Sequence, residues 1–463
     1  MDADLIIIGS GAGGSAVARA LARTGARILI LERGTHVPRE PQNWDAQEVF
    51  CRSRYVSADP WLDAAGRPFT PQVHYNVGGA TKFYGAALFR FAPDDFTTWP
   101  VTCADMEPAY REAERWYNVH ALPHVPAVAA FADVLTSKGL HPSPAPSGVL
   151  DGTAGACSRC ARCDGFPCPV LGKADAETVA LRRALRHPGV TLRTGACVQR
   201  IEAERGQARR VILEDGTALT AGAIVLAAGA VNSAALLLRS GLGGDSGQAG
   251  RNYMAHISTA MLAFPPAGLR HGLSPADEGF HKTLVMLDDV PELRSSLQMT
   301  GRPAGGMLRG ESRLAAHLPS AATDALASRA LGLWLMTEDS PRPGNAVTLT
   351  SSGRIRLSVT RDPQDAARAR TFRSRIRRIL HHAGYVTLSS EMPLAAVAHQ
   401  CGTLRMGHSS RTSVVSPEGS LHDIPNLFVA DASVFVTSSA VNPALTVIAN
   451  ALRISPHIQA AIS

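Results

Sequence analysis

An α/β fold of the doubly wound kind, carrying a second α+β unit, is what this chain predicts, and three observations predict it. Residues 4–34 run strand, glycine turn, helix, strand and acid. Strand and helix patterns return at 190–239 and again at 427–458. Between them, residues 255–395 change to short alternating segments beside one long helix, which fits a mixed domain laid over the first.

Leu5 to Ile8 is a short buried-strand run, followed by Gly9-Ser10-Gly11-Ala12-Gly13-Gly14. In the GxGxxG spacing, Gly9 permits the tight turn, Gly11 lets the backbone approach a pyrophosphate, and Gly14 lets the next helix pack close to the sheet. Phosphate oxygens then face the unpaired N–H groups of the helix N-terminus. Ile28 to Leu31 supplies the second strand. Glu32, eighteen positions after Gly14, accepts from ribose hydroxyls and disfavours a 2′-phosphate.

Residues 35–75 lack sustained periodicity and read as a long excursion. A second glycine-rich turn opens at Gly78-Gly79-Ala80-Thr81, and a helix is expected over Asp105 to Trp116, with Pro108 in its first turn. Ala174 to Leu185 has helical spacing. Strands follow at Val190 to Thr194, Ala208 to Leu213 and Ala218 to Ala221, the last two joined by Glu214-Asp215-Gly216-Thr217 as a hairpin turn. Ala223 to Ala228 is read as a separate buried strand, with a helix from Asn232 or Ser233 to Arg239. Leu331 to Leu335, Ala346 to Leu349 and Ile355 to Val359 are strands, then Asp362 to Ile379 a helix, Leu427 to Ala430 a strand and Pro443 to Ile458 a closing helix.

The chain has 463 residues, room for two or three domains, and a hydrophobic fraction of 45%, ordinary for a globular protein. Its charge of +7, from 46 basic and 39 acidic residues, is spread thinly and excludes a nucleic-acid footprint. The apolar run Ala221 to Val231 falls short of a membrane span and is broken by Gly222 and Gly229. No leader pattern opens the sequence, so a cytoplasmic location is expected, and eight cysteines in so long a chain do not make a disulfide scaffold.

The C-terminal region holds three further motifs in order: His399-Gln400-Cys401-Gly402-Thr403, then Asn426-Leu427-Phe428-Val429-Ala430-Asp431-Ala432-Ser433, then Asn442-Pro443-Ala444-Leu445-Thr446. With the two glycine stretches and Gly250-Arg251-Asn252-Tyr253-Met254-Ala255-His256, they make the chain resemble the glucose-methanol-choline (GMC) flavoprotein oxidoreductases from end to end. The resemblance implies a Rossmann-like FAD-binding domain built from discontinuous segments (1–100, 171–255 and 396–463). It also implies a substrate-binding domain (256–395) with a mostly antiparallel sheet, and a connecting or cap segment at 101–170. Its FAD contacts fall on Gly9, Gly11, Ala12, Gly13, Gly14, Glu32, Arg33, Gly78, Gly79, Thr81, Val198, Ala228, Asp431, Ala432, Asn442, Pro443 and Thr446. Its active-site pair falls on His399 and Asn442, with His256 close by. Members that attach the flavin covalently do so through a histidine after the second glycine stretch; Thr81-Lys82-Phe83-Tyr84 stands there, so non-covalent FAD is expected.

The implied chemistry is oxidation of the CH–OH group of a sugar, polyol or other alcohol, with hydride passing to flavin N5. An alcohol releases hydride only if its hydroxyl proton also leaves, so a base must sit within hydrogen-bond reach of that hydroxyl. His399 suits that role, and the neutral Asn442 amide suits the developing alkoxide. Oxygen, a quinone or a protein carrier would take the electrons onward.

Cys157, Cys160, Cys163 and Cys168 stand as C-x2-C-x2-C-x4-C-Pro, one residue longer at the last gap than an iron–sulfur run. An iron–sulfur cluster, structural zinc and free thiols are all open at these cysteines, with Arg159 and Arg162 expected to lower thiol pKa values nearby. A rival function follows: a redox-inactive or electron-relay flavoprotein whose cysteine segment is the working part. A nicotinamide enzyme using the first turn is a third reading, but it leaves the C-terminal motifs unexplained.

Overall fold

The computed structural model describes residues 1–150, 157–160, 162–244, 246–267, 284–287, 292–312 and 314–463. Ala161 of the cysteine run and parts of the 256–395 segment lie outside the described residues.

The nucleotide-binding architecture grows from the strand Ala3–Ile8. Leu5, Ile6 and Ile7 are wholly buried because this strand has neighbours on both edges and packed layers on both faces, which is why its sequence is continuously apolar. It pairs in parallel with Ile28–Leu31 on one side and Ala218–Leu226 on the other. The seven-stranded sheet runs Val190–Arg193, Ile28–Leu31, Ala3–Ile8, Ala218–Leu226, Gln207–Leu213, Val198–Glu204, with Leu427–Val429 also paired to Ala218–Leu226. Three strands thus end side by side at Gly9, Glu32 and Ala227, the carboxyl edge where such sheets bind ligands.

The helix Ala12–Leu21 packs against the closing helix Ala444–Ile462, so first and last segments of the chain share one core. Close approach is enforced at Gly13, where an added Cβ would lie 1.6 Å from the Ala430 carbonyl oxygen.

A second, six-stranded antiparallel sheet runs Val386–Glu391, Ile257–Phe264, Leu331–Thr337, Ser295–Met299, Leu284–Leu287, Ser143–Pro144. The helix Pro363–His382 lays Phe372, Ile376 and Leu380, spaced by four, onto one face of it, beside Phe131 of the helix Pro126–Ser137. Strand alternation sends Met261 and Ala263 into that core and leaves Ser258, Ala260 and Leu262 facing the opposite side, where they wall a cavity with Gln298 and Trp334. Residues 101–170 contribute to both cores: Cys103–Tyr117 packs with the first, Pro126–Ser137 with the second.

Several sequence expectations shift. Ala218 to Leu226 is one strand, not two, because it pairs with Gln207–Leu213 up to Thr220 and with Ala3–Ile8 from Ala221 onward, in one register on both sides of Gly222. The strand Val198–Glu204, whose charged residues give a poor apolar alternation, went unpredicted. The helix expected over Ala174 to Leu185 begins only at Glu177, as a wide turn Glu177–Leu181 followed by Arg182–Ala184. Asp175 stays outside it and accepts the Thr178 N–H at 2.9 Å. Among the described residues no helix is long and apolar enough to cross a membrane.

Candidate active site

The two sheets enclose a cavity of about 1300 Å³. One end is walled by the first glycine turn, Glu32, Arg33, Gly79, Thr81, Val198 and Ala228, the middle by Asp431, Ala432 and Pro443, and the other end includes His399 and Asn442. Its size suits a dinucleotide together with a small substrate, since pockets for a single drug-sized ligand span roughly 300–1000 Å³.

At the nucleotide end, a Cβ on Gly11 would meet nothing within 4 Å, so this backbone faces open space. Cβ atoms at Gly9 and Gly14 would instead strike Ala227 and Gly9 carbonyl oxygens at 2.4 and 2.0 Å. Such a bare turn at the start of Ala12–Leu21 fits a pyrophosphate. Glu32 is nearly buried; it accepts from the Ser10 N–H at 3.0 Å, the Ser10 hydroxyl at 2.7 Å and the Gly34 N–H at 2.9 Å. Ser10 in turn accepts the Gly78 N–H at 3.1 Å, tying the two glycine stretches together. Arg33 lies over the Tyr75 ring at 4.0 Å and pairs with Asp59.

Other predicted contacts serve the scaffold. Gly14 and Gly78 lie behind the cavity wall, and Thr446, fully buried, shares a 2.7 Å hydroxyl contact with Tyr110. The Asp431 carboxylate accepts from Gly229, Ser233 and Ser433, so it braces the wall from behind, although burial raises its pKa.

At the other end, His399 and Asn442 come from two separate motifs of the C-terminal region. The Gln298 side-chain amide donates to Asn442 Oδ1 at 2.8 Å, so Asn442 has its N–H groups to offer to a substrate oxygen. Gln298 and Ser296 share one face of their strand; Ser296 donates to the Ala440 carbonyl at 2.6 Å, so both grip the loop that carries Asn442. The same loop holds Ser439 at φ +57°, a left-handed conformation costly for a side chain bearing a Cβ. Its hydroxyl donates to Asp95 at 2.8 Å, and Asp95 accepts from Arg294 at 2.9 Å, so surrounding contacts over-determine the strained residue.

His256 is the residue sequence reasoning underrated. It is buried, with Nδ1 2.9 Å from Nδ1 of His399 and Nε2 3.0 Å from the Ser438 carbonyl oxygen. Gln298 and Ser438 were missed altogether, since a lone Gln or Ser in a strand or loop carries no motif, and Ser10 lay inside the first glycine motif with no role of its own assigned.

The cysteine run does not assemble a metal site: among the described residues no three His, Cys, Asp or Glu side chains converge as ligands. Cys160 is exposed, while the Cys168 sulfur accepts the backbone N–H groups of Gly172 and Lys173 at 3.2 and 3.3 Å. Lys173 organises the loop instead, its buried ammonium donating to the carbonyls of Tyr84, Cys163 and Phe166. The expected lowering of thiol pKa also fails at Cys163, where burial pushes the value up to about 12. Asp164 and Gly165, at the tip of this loop, line the main cavity.

Sequence profiles described as GMC oxidoreductase match residues 3–258 and 341–451. Paromamine 6′-oxidase of Streptomyces fradiae is 30% identical, over 97% of this chain and 90% of its own length. The 6‴-hydroxyparomomycin C oxidase of Streptomyces lividus is 29% identical, over 98% and 91%. Pyridoxine 4-oxidase from Mesorbium loti shares the fold, with a TM-score of 0.72 at 20% identity over 99% of both chains. With the two-sheet architecture and the glycine-lined cavity, these matches show that the chain belongs to the GMC oxidoreductases, enzymes that use FAD to oxidise a CH–OH group.

Proposed function

We propose that this enzyme oxidises an alcohol of a sugar or amino sugar to the carbonyl, with His399 as the base and Asn442 as the donor to the substrate oxygen. The observation that carries the reading is that both side chains line the same cavity as the bare glycine turn. When bound, FAD supplies the hydride acceptor. Gly9 to Gly13, Glu32, Arg33, Gly79 and Thr81 would hold its nucleotide portion, and Val198, Ala228, Ala432 and Pro443 would complete the wall. In this reading segments 1–100, 171–255 and 396–463 bind the cofactor and 256–395 the substrate.

His399 takes the hydroxyl proton while Asn442 stabilises the charge left on oxygen. The second sheet holds the loop that carries Asn442, through Gln298 and Ser296. FAD is held without a covalent bond: Lys82 is committed to Asp175 and Glu177, and Thr81 donates to the Gly78 carbonyl. An iron–sulfur cluster forms no part of the proposal.

The relatives named for paromamine and 6‴-hydroxyparomomycin C point the substrate class toward amino sugars. The cavity favours the same class. Asp164 and Glu311 are among the residues that line it. Glu311 ends the helix Gly305–Glu311, where the helix dipole disfavours an anion, so a substrate ammonium is a fitting partner.

Anaerobic mixing of the holoenzyme with a panel of neutral and aminated sugars tests this, scored by flavin bleaching before any electron acceptor is supplied. The expected result is bleaching by aminated sugars and its loss, by about 1000-fold in rate, in His399→Ala with FAD still bound. Equal bleaching in parent and variant would refute the base.

A further inference from the structure

We infer that His256 is a positioning residue that fixes the proton of His399 on Nδ1 and so presents Nε2 as the base. The inference rests on His399 being the base and adds which nitrogen acts and what selects it.

The argument follows from which atoms can donate. A carbonyl oxygen only accepts, so the His256 nitrogen 3.0 Å from the Ser438 oxygen, Nε2, carries a hydrogen. His256 is buried in the protein, and burial brings its pKa down to about 4, so near neutral pH the ring holds that one proton alone. Its Nδ1 is therefore a lone pair. The 2.9 Å contact with His399 Nδ1 then requires His399 to donate there, with the rings crossing at 78°. In the neutral ring of His399 the other nitrogen, Nε2, is then the acceptor. In the reaction the substrate O–H bond breaks and an N–H bond forms at that nitrogen; FAD, when bound, would supply the acceptor for the hydrogen and electron pair that leave carbon.

Two consequences set this arrangement apart from a carboxylate partner. A neutral imidazole orients His399 without the charge that would hold it as imidazolium, so the base is free to lose its proton between turnovers. The backbone oxygen that selects the tautomer belongs to Ser438, four residues before Asn442, on the loop clamped by Ser296, Gln298 and Asp95. One short segment thereby sets both the base and the oxygen donor. Beside this segment lie Asp339, which accepts the Ala255 N–H at 2.9 Å, and Cys401, bridged to Met254; burial raises the pKa of both.

Three variants of the holoenzyme test this by stopped-flow flavin reduction and the pH profile of kcat/KM. In His256→Asn, Oδ1 replaces the accepting nitrogen, and reduction is expected within about tenfold of the parent. His256→Leu offers no acceptor and is expected to lose about 100-fold in kcat with little change in KM and with FAD bound. His256→Asp adds a charge, and the acidic limb of kcat/KM is expected to move up by about one pH unit or more. Equal losses in the Asn and Leu variants would reduce His256 to packing and overturn the proposal. If the Leu variant fails to fold, an unmoved acidic limb in the Asp variant overturns it. Failure of the underlying reading is distinct: His399→Ala would then keep reducing flavin.

Discussion

The two ends of the cavity are built by opposite means. At the nucleotide end, the wall includes backbone from consecutive residues, Gly9 to Gly13, with Glu32 locked onto Ser10 by two hydrogen bonds. At the other end, His256, Gln298, His399 and the loop bearing Ser438 and Asn442 come from separate segments and reach one another through side chains and one loop carbonyl. The first end works by what glycine leaves out, the second by hydrogen bonds that specify direction. Substitutions should therefore damage the first through sterics and the second through chemistry.

The sharpest way to break the contrast is a pair of glycine variants. Gly13→Ala places a methyl 1.6 Å from the Ala430 oxygen, so the first helix cannot dock, and the protein is expected to lose its fold and FAD together. Gly11→Ala meets no protein atom within 4 Å; it should keep the parent melting temperature while FAD binding weakens by about tenfold or more. Circular dichroism and flavin absorbance separate the two, and equal melting temperatures would refute the steric account.

At the other end, Gln298→Leu leaves the Asn442 carbonyl unpaired and lets the amide turn. A fall of about tenfold in kcat with a small change in KM is expected, corresponding to roughly 1.4 kcal/mol. Steady-state kinetics decide it, and an unchanged kcat would show that Asn442 is oriented by the loop alone.

A smaller effect concerns the scaffold beneath the catalytic end. Burial raises the Asp339 pKa from 3.8 to about 7. The carboxyl then favours the folded state only while protonated, so its contribution is complete below about pH 4 and is lost as pH rises through 7. Asp339→Asn removes the penalty; its gain in melting temperature over the parent is expected to grow from pH 4 to 7 and then level off. A gain independent of pH would contradict this.

The smallest expected change is at Glu311. Glu311→Gln should raise KM for an aminated sugar by about threefold and leave a neutral polyol unaffected, as an accessible charge contact contributes under 1 kcal/mol. An equal change for both substrates would remove the ammonium contact from the proposal.

How much the sequence disclosed follows the same division. The first turn was legible because its function is local: three glycines and an acid at fixed spacing serve one backbone conformation. His399 and Asn442 were legible only through their flanking motifs. Gln298 was invisible, since nothing local marks a glutamine whose partner lies 144 residues away. The cysteine run shows the converse. Its spacing left metal and free thiols open, and spacing cannot reveal that Lys173, from outside the run, supplies the positive charge that gathers the loop.

Strand runs, helix periods and glycine spacing were determined by the sequence alone, because they depend on neighbours within a few residues. Only the tertiary structure decided that His256 meets both His399 and the Ser438 carbonyl, that Gln298 meets the Asn442 amide, and that the second sheet turns Ser258, Gln298 and Trp334 toward the cavity. Those choices depend on which donor meets which acceptor after distant segments are brought together.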